Sequence, residues 1–174
     1  MAEVKIIVTR FDSLKLFPEI AGQEFGDSMT VAVETVTGDA IKNSPVDRGL
    51  FRSSLSNEVA KRSPLEVVGS IFANAAHAPV IEGVDEKGTP TEFGRRPGTR
   101  FPPVTAMRAW VTRVLGLQGK EAASVAFLIS RAIVRRGIRP KRPIGRALET
   151  NQAFIERLFN EAAERIARKL EGRS

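Results

Sequence analysis

The chain contains no cysteine and only one histidine. Without thiols there can be no disulfide, no thiolate metal site and no cysteine nucleophile. The fold must stand on its apolar core alone, which suits a reducing compartment. No apolar run approaches the roughly 20 residues that span a bilayer, so no membrane partner is expected. The opening MAEVKIIVTRFDS lacks the basic start, long apolar run and small-residue cleavage site of a secretory signal. The protein is therefore expected to be made and folded in the cytoplasm.

Candidate chemistry is equally sparse. His77 sits in Ala73-Asn74-Ala75-Ala76-His77-Ala78-Pro79, with no nucleophile elbow around it. It reads as a surface or packing residue, with a proton carrier as the alternative. Asp85, Glu86 and Glu92 lie beside a basic cluster. A solvated loop is the plain reading, and weak cation binding the other. Gly94-Arg95-Arg96-Pro97-Gly98-Thr99-Arg100 has neither the lysine nor the strand-to-helix setting of a phosphate loop. No catalytic residue, cofactor or metal ligand is expected, and the chain is not expected to be an enzyme.

What is present is a globular composition. The 174 residues are 42% hydrophobic and 27% charged, and one domain spanning 1–174 is the default expectation. The net charge of +7 is uneven. Residues 1–94 carry 9 basic and 14 acidic groups, residues 95–142 carry 12 and 1, and residues 143–174 carry 6 and 5. The middle segment alone is strongly cationic.

Val4 to Val8 is short and β-rich, which predicts a strand. From about Phe17 to Asn43, Phe25, Met29, Ala32, Val33, Val36 and Ala40 form one helical stripe. Gly22 and Gly26 suggest a break near its start. Ser44-Pro45 ends it, because a residue before proline avoids helical backbone. A short helical turn follows, with Asp47 placed to cap it. Ser56 to Lys61 and Leu65 to Phe72 predict strands, with a turn at Ser63-Pro64. In the second strand Leu65, Val67, Gly69 and Ile71 share one face, with Val68 and Phe72 on the other.

Residues 83–102 form a long loop, with glycine and proline frequent and no periodicity. It has few apolar residues to hold it down, which is compatible with disorder until docking, and the sequence leaves open whether it orders before assembly. Three helices follow. Pro103 to Leu115 sets Val104, Met107, Val111 and Val114 on one side and stops at Gly116. Lys120 to Arg136 turns Val125, Leu128, Ile129, Ala132 and Ile133 inward. Pro143 to about Leu170 carries a continuous stripe: Ala147, Leu148, Phe154, Ile155, Leu158, Phe159, Ala162, Ile166 and Leu170. The order predicts an α+β fold: a small antiparallel sheet, a long helix in each half, and a helical insertion over 103–137.

The cationic segment concentrates Arg95, Arg96 and Arg100 in the loop, and Arg131, Arg135 and Arg136 near a helix end. Arg139, Lys141 and Arg142 follow in the connector. Cations at a helix C-terminus favour its dipole, which explains Arg135 and Arg136 structurally. Phosphate neutralisation or contact with another subunit are the functional readings. No nucleic-acid reader motif accompanies the cluster. Trp110 and Phe101 read as packing residues or as interface anchors.

Three blocks together resemble a known family. The stretch Ser44-Pro45-Val46-Asp47-Arg48-Gly49-Leu50-Phe51-Arg52-Ser53-Ser54-Leu55 is similar to the S-P-V-D-T-G-x-L-R-x-S stretch of bacteriophage tail-completion and neck proteins, the minor tail protein Z group among them. Val68 to Gly83, with Asn74, Pro79 and Glu82, resembles that family's strand followed by N-x-x-x-Y-A-x-x-x-E-x-G. Arg139-Pro140-Lys141-Arg142-Pro143-Ile144-Gly145-Arg146-Ala147-Leu148 resembles its R-P-x-P-F-x-x-x-A-L lead into a long final helix. Arg48, His77 and Ile144 depart from the residues usual at those positions. The blocks run in the family's order from about Val31 to Leu170.

The resemblance implies a virion protein of the phage neck or tail, assembled in the host cytoplasm as a homo-oligomeric, six-fold ring. Its implied partners are copies of itself, head connector or stopper proteins, and a tail terminator or tail tube protein. Genomic DNA would pass through the ring without being read. A tail terminator capping the tube, or a small non-sequence-specific DNA-binding protein, are the alternatives. The first block reads as architectural, with Pro45 stopping a helix and Arg52 pairing locally; a subunit contact is its second reading.

Overall fold

The computed structural model describes residues 2–8, 18–63, 66–85 and 87–171. Phe17, Pro64, Leu65, Glu86 and the side chain of Leu170 lie outside what is described. The fold is α+β. The chain forms two compact units, one from residues 1–78 with 142–174, the other from residues 79–141.

The first unit is built on three strands: β1 (Ala2–Val8), β2 (Leu55–Ser63) and β3 (Glu66–Ala73). Their spatial order is β1-β3-β2, all antiparallel. Val4 lies opposite Ile71 and Asn57 opposite the same residue on the other side. Helices α1 (Pro18–Asn43) and α6 (Pro143–Glu171) complete the unit. Helix α1 packs against α6, β2 and β3.

The stripe on α1 is the centre of the core. Phe25, Met29, Ala32, Val33, Val36 and Ala40 are all buried, as their spacing requires. On α6, Ala147, Ile155, Phe159, Ala162 and Ile166 are buried. Phe25 and Phe159 meet with ring centroids 6.0 Å apart, within the range of favourable aromatic pairs. Helix α1 runs unbroken through Gly22 and Gly26; buried neighbours on both sides hold the helix where propensity alone would weaken it.

Gly69 explains how closely α1 approaches the sheet. A Cβ there would collide with Val33 Cγ2 and lie 2.7 Å from Met29 Sδ. Residues on both faces of β3 are buried, Val67 and Ile71 on one and Val68 and Ser70 on the other.

The second unit contains α3 (Ala78–Glu82), which sequence periodicity did not reveal, and a helical hairpin of α4 (Val104–Leu115) and α5 (Gly119–Arg136). Gly116, at φ 72°, stops α4 as expected. The hairpin core is Val111, Ala122 and Ala126, with Met107, Trp110, Leu117, Val125 and Ile129 packed around it. One expectation is corrected here: on α5 Leu128 is 59% exposed and Ala132 is exposed too. On α4 the apolar side is only partly covered, with Val104 and Val114 66% and 47% exposed. The helices meet through small alanines, which permit close approach. One partner helix can cover only one face of each.

Candidate assembly interface

The first motif block is a corner between α1 and β2. Ser44 is buried and its Oγ donates to the Ala40 carbonyl at 2.6 Å. The Arg52 guanidinium donates to the Ser44 carbonyl at 3.1 Å and to the Lys42 carbonyl at 3.2 Å. The last carbonyls of a helix have no partner within it, so Arg52 closes the C-terminus of α1 with charge and hydrogen bonds together. Arg52 belongs to α2 (Leu50–Ser53). The expected cap residue, Asp47, lies two residues before the cap position. Gly49, at φ 74°, occupies the cap position without a side-chain hydrogen bond. The left-handed backbone there suits glycine.

Within the same block Phe51 is buried, its ring 6.3 Å from that of the exposed His77. The Asn74 amide donates to the Ser54 carbonyl at 3.1 Å, joining the first block to the second. Val46 and Leu50, in contrast, are 63% and 57% exposed. The block thus divides into residues that build the corner and two apolar side chains turned to the surface.

In the second unit the other blocks also meet. The Pro79 carbonyl accepts from the Gly83 and Val84 amides at 2.8 and 3.0 Å. Gly83, at φ 68°, lies against the Pro140 ring where a Cβ would clash. Glu82 is buried. The third block continues into the first unit, where Pro143 and Ala147 are buried at the start of α6 and Leu148 is half-buried.

The described residues of the long loop are tied down by polar contacts. The Asp85 carboxylate accepts the Lys87 and Thr89 amides at 2.9 and 2.8 Å. The Thr89 amide is the main cause that holds the Asp85 carboxyl below its ordinary range. The Thr91 amide donates to the Gly83 carbonyl, and Arg95 pairs through its backbone with Ile138. Gly94 lies against the Val80 carbonyl with no room for a Cβ.

The nine basic residues separate by role. Arg95 is half-buried; its guanidinium donates to Thr99 Oγ1 at 3.0 Å and to the Arg100 carbonyl, so it fastens the loop. Arg142, with φ 51°, pairs with Glu149 at 3.1 Å beside the start of α6. The other seven (Arg96, Arg100, Arg131, Arg135, Arg136, Arg139 and Lys141) are exposed. None of the seven pairs with a carboxylate among the described residues. The Gly98 amide donates to the Val134 carbonyl at 2.7 Å, which lays the arginine loop along the end of α5. The 79–141 unit has 12 basic and 5 acidic residues, so its net charge of +7 equals that of the whole chain.

Apolar surface accompanies this charge. Phe101 and Phe127 are 46% and 57% exposed and stack on one another, centroids 6.2 Å apart. Trp110 instead packs on the hairpin core. Among the described residues there is no group of three or more His, Cys, Asp or Glu able to hold a metal. Among them, too, no helix is long and apolar enough to cross a membrane.

Comparison with models of known protein families, with curated proteins and with solved structures gives no match for this chain. The motif resemblance and the geometry therefore carry the functional reading.

Proposed function

We propose that the chain is a structural subunit of a long-tailed bacteriophage neck, forming a ring that completes the tail and joins it to the head connector. The observation that carries this reading is the way the three resembling blocks meet in space. The first is bonded to the second between Ser54 and Asn74. The second lies against the third between Gly83 and Pro140. Residues that resemble a family because they share a framework would be expected to touch in this way; scattered coincidences would not.

The surfaces fit the same role. Ring subunits donate one face and accept with another. Exposed apolar residues occur in both units, at Val46 and Leu50 and at Phe101, Phe127 and Leu128. The unpaired arginines of the second unit suit a wall past which DNA slides, since phosphate neutralisation needs no base contact.

The test is electron microscopy of particles assembled without this chain. Separate filled heads and finished tails are the expected products. Particles joined as usual would refute the reading. The cationic unit favours a second reading, a small DNA-binding protein. That reading requires DNA affinity in the isolated chain with a steep salt dependence.

A further inference from the structure

We infer that the outer face of α5 docks on the outer face of α1 in a second copy of this chain, head to tail. This deepens the neck reading and rests on it only for closure of the contact into a ring.

Each face is a narrow stripe. On α5, Lys120, Ser124, Phe127, Leu128, Arg131 and Arg135 recur at three- and four-residue steps and are all exposed. On α1 the exposed stripe is Gln23, Asp27, Thr30, Val31, Glu34 and Ile41. Residues at those steps lie one above another on a helix. The stripes are about 22 Å long on α5 and about 27 Å on α1 at 1.5 Å per residue.

The two stripes are complementary. The α5 stripe has an apolar centre, Phe127 and Leu128, with three cations and no acid. The α1 stripe has Val31 at its centre, 44% exposed, flanked by Asp27 and Glu34. Neither acid has an ion-pair partner among the described residues. Gly38 lies on the same α1 face, and a Cβ there would meet nothing within 4 Å, so the helix can be approached closely. When Leu128 is set against Val31, Arg131 falls one turn away. It then faces Glu34 if the helices run parallel and Asp27 if they run antiparallel. Charge satisfaction does not depend on direction.

The same charges argue against the symmetric alternative. Two α5 faces meeting would bring together three cations from each copy with no acid in either stripe, and like charges across an interface oppose association. A contact between different faces is heterologous, and such contacts build rings or filaments. Arg136 follows Arg135 by about 100° around the helix and is left outside the contact, with Arg139 and Lys141, for other partners.

The absence of cysteine makes the test direct. Full-length Val31→Cys and Leu128→Cys variants, mixed in equal amounts at low salt and oxidised, are expected to give mixed disulfide dimers well above the statistical share. Adding Arg131→Glu and Arg135→Glu to the Leu128→Cys chain is expected to cut that yield at least about tenfold. Adding Asp27→Lys and Glu34→Lys to the Val31→Cys partner should then restore it. A statistical mixture, preferred Leu128→Cys homodimers, or indifference to charge reversal would overturn the inference. If Arg131→Glu with Arg135→Glu leaves heads and tails unjoined while cross-linking stays statistical, the face binds another neck protein; the inference fails and the neck reading stands. Efficient mixed dimers alongside normally joined particles lacking the chain would sink the neck reading and leave the docking of α5 on α1 in place.

Discussion

Replacing Glu24 by Gln tests the link between the two longest helices. Glu24 Oε2 lies 2.7 Å from Arg165 Nε, and Oε1 lies 2.5 Å from Lys169 Nζ. Arg165 also donates to Ser28 Oγ at 3.2 Å. The carboxylate is only 10% exposed, while Arg165 and Lys169 are 36% and 51% exposed. Losing charge-assisted hydrogen bonds costs ~1.5–3 kcal/mol each in protected settings, but half-exposed cations regain water when released. The net loss is therefore about 1–2 kcal/mol, or roughly 2–8 °C in Tm for a chain of this length. The Arg165 hydrogen bond, then that of Lys169, holds the Glu24 carboxyl below its ordinary 4.5. A depressed carboxylate stabilises the fold above its unfolded pKa and loses that effect as pH falls through the folded one. Thermal unfolding of both proteins should differ fully at pH 7, and the gap should close as pH falls below 4.5. Equal Tm values at pH 7, or an undiminished gap in strong acid, would refute this reasoning.

Arg52→Ala removes the guanidinium from the end of α1 and should cost about 1–2 kcal/mol by chemical denaturation. Arg52→Lys should recover only part of it, since one ammonium cannot reproduce the fork. Gly69→Ala should destabilise by ~1–3 kcal/mol through overpacking against Met29 and Val33, measured as a lower denaturant midpoint. Replacing Arg136, Arg139 and Lys141 together by Gln should flatten the dependence of log DNA affinity on log salt by roughly 3, near 0.9 for each phosphate no longer neutralised. An unchanged slope would mean that this surface does not meet DNA.

The parts of the fold legible in the sequence were those with a single dominant partner surface. The α1 and α6 stripes face a full core, so three- and four-residue spacing located their buried residues. The α4–α5 hairpin was harder. Its seam runs through Ala122 and Ala126, and a rule that turns large apolar residues inward misplaced Leu128. Sequence locates an apolar stripe, but not whether a neighbour exists to cover it. Helix α3 is too short for periodicity to reveal. The Glu24–Arg165 and Asp39–Asn151 hydrogen bonds join residues 141 and 112 positions apart, and nothing local signals them. In the candidate interface, clustering identified the arginines correctly as a group but could not separate Arg95 and Arg142, which fasten backbone and helix, from the seven that face outward. The motif block reads as architectural with Arg52 pairing locally, but it gave no sign that Leu50 lies exposed.

The most direct measurement is a count of joined and unjoined particles made without this chain, by electron microscopy, with the chain then added back. Filled heads and complete tails lying apart are expected, with joining restored on addition. Complete, infectious particles in its absence would contradict a joining role.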